Sequence, residues 1–123
     1  MRFSIYSEMQ HWPGKSTERL YAEVAEQVVH ADRLGYDSYA IVEHMFFPKF
    51  SACPDPLSFF CQLGPKTRQI RFRTMLHVLP YHNPTVLASR IAEAEILLEG
   101  AMSSAWAVAT AGSRRRAAFA STT

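Results

Sequence analysis

The stretch Ser38-Tyr39-Ala40-Ile41-Val42-Glu43-His44-Met45 reads as a short buried strand that runs directly into two ionisable side chains, Glu43 and His44. An apolar run that ends in an acid and an imidazole makes the strand a scaffold and places chemistry at its carboxyl end. Upstream, Ser16 or Thr17 can cap a helix with Glu18 in its first turn. Leu20, Val24, Ala25, Val28 and Ala31 follow at helical spacing, and Gly35 stands where a left-handed C-cap is needed. Before that helix, Arg2 to Tyr6 alternates as a first strand around Phe3 and Ile5. The loop Glu8 to Gly14 carries His11, Trp12 and the Pro13-Gly14 turn signal. Strand, helix and strand with short links form a βαβ unit, which requires parallel strands.

The pattern repeats downstream. A loop from Met45 to Pro54 contains Phe46, Phe47, Phe50 and Cys53, and Asp55-Pro56 caps and opens a short apolar helix, Leu57 to Leu63, that Gly64-Pro65 stops. Ile70 to Leu79 is expected as a third strand with Ile70, Phe72, Thr74 and Leu76 on one face. Asn83-Pro84 opens a third helix, whose expected apolar stripe is Val86, Leu87, Ile91, Ala94, Leu97 and Leu98, ending at Gly100. Strands starting near residues 2, 38 and 70 give a period of about 34 residues, so a fourth strand is due just after Gly100. The expected class is α/β, a partial (β/α)8 TIM barrel of about three βα units, since a whole barrel takes roughly 250 residues. An open doubly wound sheet would be expected to carry a glycine-rich turn after its first strand, and Gly14 alone does not make one.

Composition narrows the function. Residues 1–100 hold ten Lys/Arg against eleven Asp/Glu, a net charge of −1, whereas residues 101–123 carry Arg114, Arg115 and Arg116 and no acid. Basic charge spread over a folded face would indicate nucleic acid; here it is an appendage, so no nucleic-acid partner is expected. No apolar run approaches the roughly 18 residues of a membrane span, and the N-terminus has no secretory pattern, so a cytoplasmic location without membrane association is expected. Cys53 and Cys61, eight residues apart without a CxxC motif, read as reduced structural thiols. From Ala101 to Thr123 the sequence turns to alanine, Ser/Thr and arginine without Leu or Ile. Two regions follow: 1–100 as the barrel portion, and 101–123 as a low-complexity, poorly ordered tail.

Several of these segments, in this order and spacing, carry a resemblance. They are Ala31-Asp32-Arg33-Leu34-Gly35-Tyr36-Asp37-Ser38, Val42-Glu43-His44, Val78-Leu79-Pro80, His82-Asn83-Pro84, and the helix from Ala88 to Gly100. From Met1 to Gly100 the chain resembles the bacterial-luciferase-like family of flavin-dependent oxidoreductases and monooxygenases, which are (β/α)8 barrels. Met45 stands where that family usually has a second histidine. The resemblance implies oxidation of a small organic substrate by oxygen and reduced FMN, supplied by a partner flavin reductase, in a homo- or hetero-dimer. A deazaflavin relative would transfer hydride without oxygen. After the third helix the family continues into a glycine-rich fourth strand with an arginine that helps hold the flavin phosphate. A reading frame shifted by one base across Gly100 to Ser113 can restore that motif. The expectation is therefore a truncated barrel with a frameshifted tail and weakened flavin binding.

His44 is the candidate catalytic residue, because barrel active sites are built at the carboxyl ends of the strands and an imidazole can hold or donate a proton near neutral pH. A histidine that only packs in a strand-end loop is the plain alternative. Glu43 either orients that imidazole or caps a neighbouring loop. The resemblance places Thr74, Met75 and Leu76 beside the flavin ring and, with Glu43, makes them the candidate cofactor-binding residues; a buried central strand in which Met75 fills space is the plain alternative. It also implies a non-prolyl cis peptide at Met75–Leu76. His11, Trp12 and Phe46, with Phe47 and Phe50, either line an apolar substrate pocket or complete the rim of the core. His82 reads as a loop residue. No metal is expected under the flavin reading. The competing readings are a metal-dependent barrel hydrolase using His11, His44 and His77, and a non-catalytic fragment with an open sheet edge.

Overall fold

The computed structural model describes residues 1–107; the rest of the expected tail, residues 108–123, lies outside the described residues. Strands β1 (Ser4–Ser7), β2 (Ser38–Ile41), β3 (Arg71–Val78) and β4 (Met102–Ala107) alternate with helices α1 (Thr17–Arg33), α2 (Pro56–Leu63) and α3 (Pro84–Leu97). All strand pairs are parallel, and the order in the sheet is β1-β2-β3-β4. This is the expected succession of βα units, and the sheet continues past Gly100 into β4.

The helix boundaries follow from local chemistry. Ser16 accepts a hydrogen bond from the Arg19 amide, Asp55 from Ser58, and Asn83 from Thr85 and Val86, while Pro56 and Pro84 occupy first turns in which an amide hydrogen has no helical partner. Gly35 ends α1 at φ +80, the left-handed conformation that side chains disfavour.

Register decides which residues share a face. Ile5, Tyr39 and Phe72 stand side by side across β1 to β3, packed against Leu20, Val24, Val28 and Ala31 of α1 and Phe59, Phe60 and Leu63 of α2. Phe60 and Phe72 meet with ring centroids 5.0 Å apart; burying each such side chain contributes about 1.5–3 kcal/mol. The opposite face carries Ser4, Ser38 and Arg71 in one row and Tyr6, Ala40 and Arg73 in the next. The Ser4 and Ser38 hydroxyls are 2.7 Å apart.

Two expectations need correction. The alternation Ile70, Phe72, Thr74, Leu76 holds only as far as Thr74; Leu76 is half-exposed and His77 is buried instead. The ladder to β4 shifts register between Thr74 and His77, and the Met75–Leu76 peptide is cis there. In α3, Leu87 and Ala94 are buried, as is the capping Leu98, but Val86 and Leu97 are more than half exposed. The helix packs on Leu57 and Cys61 of α2 and Met102 of β4, so only one side of the apolar stripe is covered among the described residues.

The N-terminal ends of the strands are held by two acids. Asp32, buried at the end of α1, accepts the amides of Arg68, Gln69 and Ile70 at 3.1, 2.9 and 2.8 Å, which fixes the entry into β3. Burial pushes its carboxyl pKa up, but the three amide donors outweigh that and hold it below the ordinary value. Asp37 receives Arg71 at 2.7 and 2.8 Å on its two oxygens.

Candidate functional site

The other end of the sheet gathers Glu43, His77 and His82. β2 runs through Val42 to Glu43, which is 1% exposed, and the Glu43 amide donates to the Leu76 carbonyl at 3.1 Å. The Glu43 carboxylate joins three segments. Its Oε2 accepts the Val78 amide at 2.7 Å and lies 3.5 Å from His77 Nδ1, while Oε1 is 2.6 Å from His82 Nε2. His77 is the penultimate residue of β3, and His82 follows the short 3-10 turn Leu79–Tyr81. Burial pushes the Glu43 pKa up; the contacts with His77, the Val78 amide and His82 more than reverse this, and the carboxyl titrates below its usual range. Glu43 is therefore a buried carboxylate whose charge is stabilised by donors on the neighbouring strand.

Of the two roles open to Glu43, capping a neighbouring segment is the one its contacts describe. Adjacent residues at a strand end point to different sides, and His44 lies elsewhere. The His44 ring is half-buried, edge-on to Phe50 at 4.9 Å and to Phe47 at 6.3 Å between centroids, and its amide donates to Cys53 at 3.0 Å. The first two βα loops meet through their backbones: His11 donates to Pro48 and Ala52 donates to Met9. Phe47 and Phe50 thus collect around His44, whereas Trp12 and Phe46 stand 61% and 95% exposed. Trp12 lines a cleft of about 440 Å³ with Tyr6, Lys15 and Glu23.

Met75 and Leu76 are half-buried at the end of β3. Thr74 is fully buried on the helix side, level with Ile41, and its hydroxyl has no hydrogen-bond partner among the described residues. Both cysteines are free, and burial pushes the Cys53 thiol up to about 11, which marks it as structural.

His11, His44 and His77 do not assemble as a ligand set. Among the described residues the donors that come together are Glu43, His77 and His82, with ligand atoms all within 4.8 Å of one another. Reading the sequence as a loop at His82 misses this role, because the partner lies 39 residues away. The only local signal is a histidine immediately before the Asn83 cap.

Four parallel strands alternating with helices define part of a (β/α) barrel. The chain superposes on the oxygenating constituent of 3,6-diketocamphane monooxygenase from Pseudomonas putida, a type II Baeyer-Villiger monooxygenase solved in complex with FMN. The TM-score is 0.83 at 26% identity, over 90% of this chain and 30% of that one. In sequence it is 32% identical over 101 residues to the oxygenase component of flavin-dependent trigonelline monooxygenase from Acinetobacter baylyi, covering 81% of this chain and 28% of the relative. It is 28% identical over 100 residues to 2,5-diketocamphane 1,2-monooxygenase 1 of P. putida, covering 81% and 27%. The family profile described as luciferase-like monooxygenase matches residues 1–102, and the chain belongs to that family. It spans about a quarter of the length of the curated relatives it matches. No helix among the described residues is long and apolar enough to cross a membrane.

Proposed function

We propose that this chain supplies part of the site of a flavin-dependent monooxygenase, with reduced FMN as cofactor and a small organic molecule as substrate. The observation that supports the reading is the bond from the Glu43 amide to Leu76, which ties the backbone just before the half-buried His44 to the half-exposed Met75–Leu76 segment. The fit concerns the flavin ring. Met75 and Leu76 would offer an apolar edge and His44 a proton-bearing group, while Thr74, buried on the helix side, would act only through the backbone of β3. Residues 1–107 contain no glycine-rich run that could cradle the phosphate.

When bound, reduced flavin supplies the electrons for oxygen activation. His44 holds or donates a proton at the rim, and Glu43 acts from behind by fixing the end of β3. Phe47 and Phe50, with His11, Trp12 and Phe46 on the same two loops, form the apolar approach for substrate. A separate reductase supplies the reduced flavin, and residues 101–123 are the product of a shifted frame.

Anaerobic titration of this chain with reduced FMN, followed by absorbance, tests the reading. Saturable binding weakened about tenfold or more by His44→Ala is expected, as is tighter binding by a version with the reading frame restored after Gly100. Equal affinity in all three proteins would overturn the assignment of His44 and the role given to the tail. Hydride transfer to a deazaflavin without oxygen consumption would move the chain to the other cofactor class.

A further inference from the structure

We propose that Glu43, His77 and His82 form a binding site for a single divalent first-row transition-metal ion. One carboxylate and two imidazoles arrive from three segments: the end of β2, the end of β3 and the turn after it. The site is independent of flavin.

Two of the separations are near those of such an ion, and the three ligand atoms all lie within 4.8 Å of one another, so binding draws the set together. Metal–ligand bonds of about 2.0–2.1 Å in a tetrahedral site place neighbouring ligand atoms roughly 3.3 Å apart. Glu43 Oε2 and His77 Nδ1 are 3.5 Å apart, close to that spacing. Glu43 Oε1 and His82 Nε2, at 2.6 Å, must open by less than about 1 Å. His82 is the member able to move, because it lies outside the strands, and its side chain, 11% exposed, is more open than those of Glu43 and His77. It therefore also provides the entry path.

The surroundings are already arranged for ligation. The Val78 amide holds Oε2 at 2.7 Å, a backbone contact that orients the carboxylate as outer-shell donors do in metal sites. Two imidazole nitrogens with one carboxylate favour Zn²⁺, Co²⁺, Ni²⁺ or Fe²⁺ over Mg²⁺ and Ca²⁺, which prefer all-oxygen shells. Three protein ligands leave further coordination positions for water or a small ligand.

The test is a titration of the chelator-treated full chain with Co²⁺ near neutral pH, read from its visible absorption. Saturation at one equivalent is expected, with Zn²⁺ displacing the colour and raising the melting temperature. His82→Ala and Glu43→Gln should each weaken binding about tenfold or more, while His30→Ala, on the exposed side of α1, leaves it unchanged. His82→Gln, which can still hydrogen-bond Glu43, keeps the test informative if His82→Ala fails to fold. Absence of a one-equivalent endpoint, undiminished affinity in both folded His82 variants, or loss of binding in His30→Ala would each overturn the site. No flavin is present, so the outcome is separate from the monooxygenase reading.

Discussion

At the N-terminal end of the sheet Asp32 accepts three backbone amides, and at the C-terminal end Glu43 accepts one amide and faces two imidazoles. Both carboxylates are buried and both have lowered pKa values, yet their partners differ in kind. Amides are permanent donors, so Asp32 is locked whenever the chain is folded. Imidazoles can gain a proton, lose one or turn to a metal ion, so the surroundings of Glu43 can change while the fold stays. This division matches the barrel habit of placing stability at one end of the strands and chemistry at the other.

The largest effect is expected from Asp32→Ala. It leaves three amides without their acceptor and should cost on the order of 3 kcal/mol or more, read as a drop in the urea midpoint. A smaller loss than that of Glu43→Gln would break the contrast between the two ends. Glu43→Gln keeps an acceptor for Val78 but removes the charge beside the histidines, for an expected loss of about 2 kcal/mol.

That variant also tests the pH dependence. Both acids have folded pKa values below their unfolded ones, so their stabilisation is present above the ordinary carboxylate range and is lost as pH falls through the lowered folded values. Glu43→Gln should therefore flatten the fall in stability on acidification while leaving the share due to Asp32; an unchanged acid profile would show that Glu43 contributes nothing to it. The smallest effect belongs to Arg71→Gln. Its bond to Asp37 is partly solvated, so about 1 kcal/mol or less is expected from the same denaturation curves.

What could be read in the sequence was local. Ser16, Asp55 and Asn83 cap their helices from within a few residues, and the spacing of strand starts yields the repeat without knowledge of any contact. The rim was legible as a place, since Glu43 and His44 end an apolar strand, but its internal pairing was not. Glu43 and His82 meet only because β2 and β3 are neighbours, and nothing near His82 records that. The stripe of α3 shows the same limit: Val86 and Leu97 fit the helical period, and which side becomes covered depends on the elements packed around the helix. The separation of Glu43 from His44, adjacent in sequence but with different neighbours, follows from side-chain direction at the strand end and from which strand and loop pack on each side.

The sheet order has a consequence for how the molecule is made. Ser4 pairs with Ser38, Ser38 with Arg71 and Phe72 with Met102, so each new strand docks on the one synthesised just before it. No pairing among the described residues waits for a distant segment, and loop closure never spans more than about one repeat. The sheet can therefore assemble vectorially as the chain leaves the ribosome. Stalled nascent chains should gain protease protection in steps as β2, β3 and β4 emerge; protection arriving all at once after β4 would rule this out.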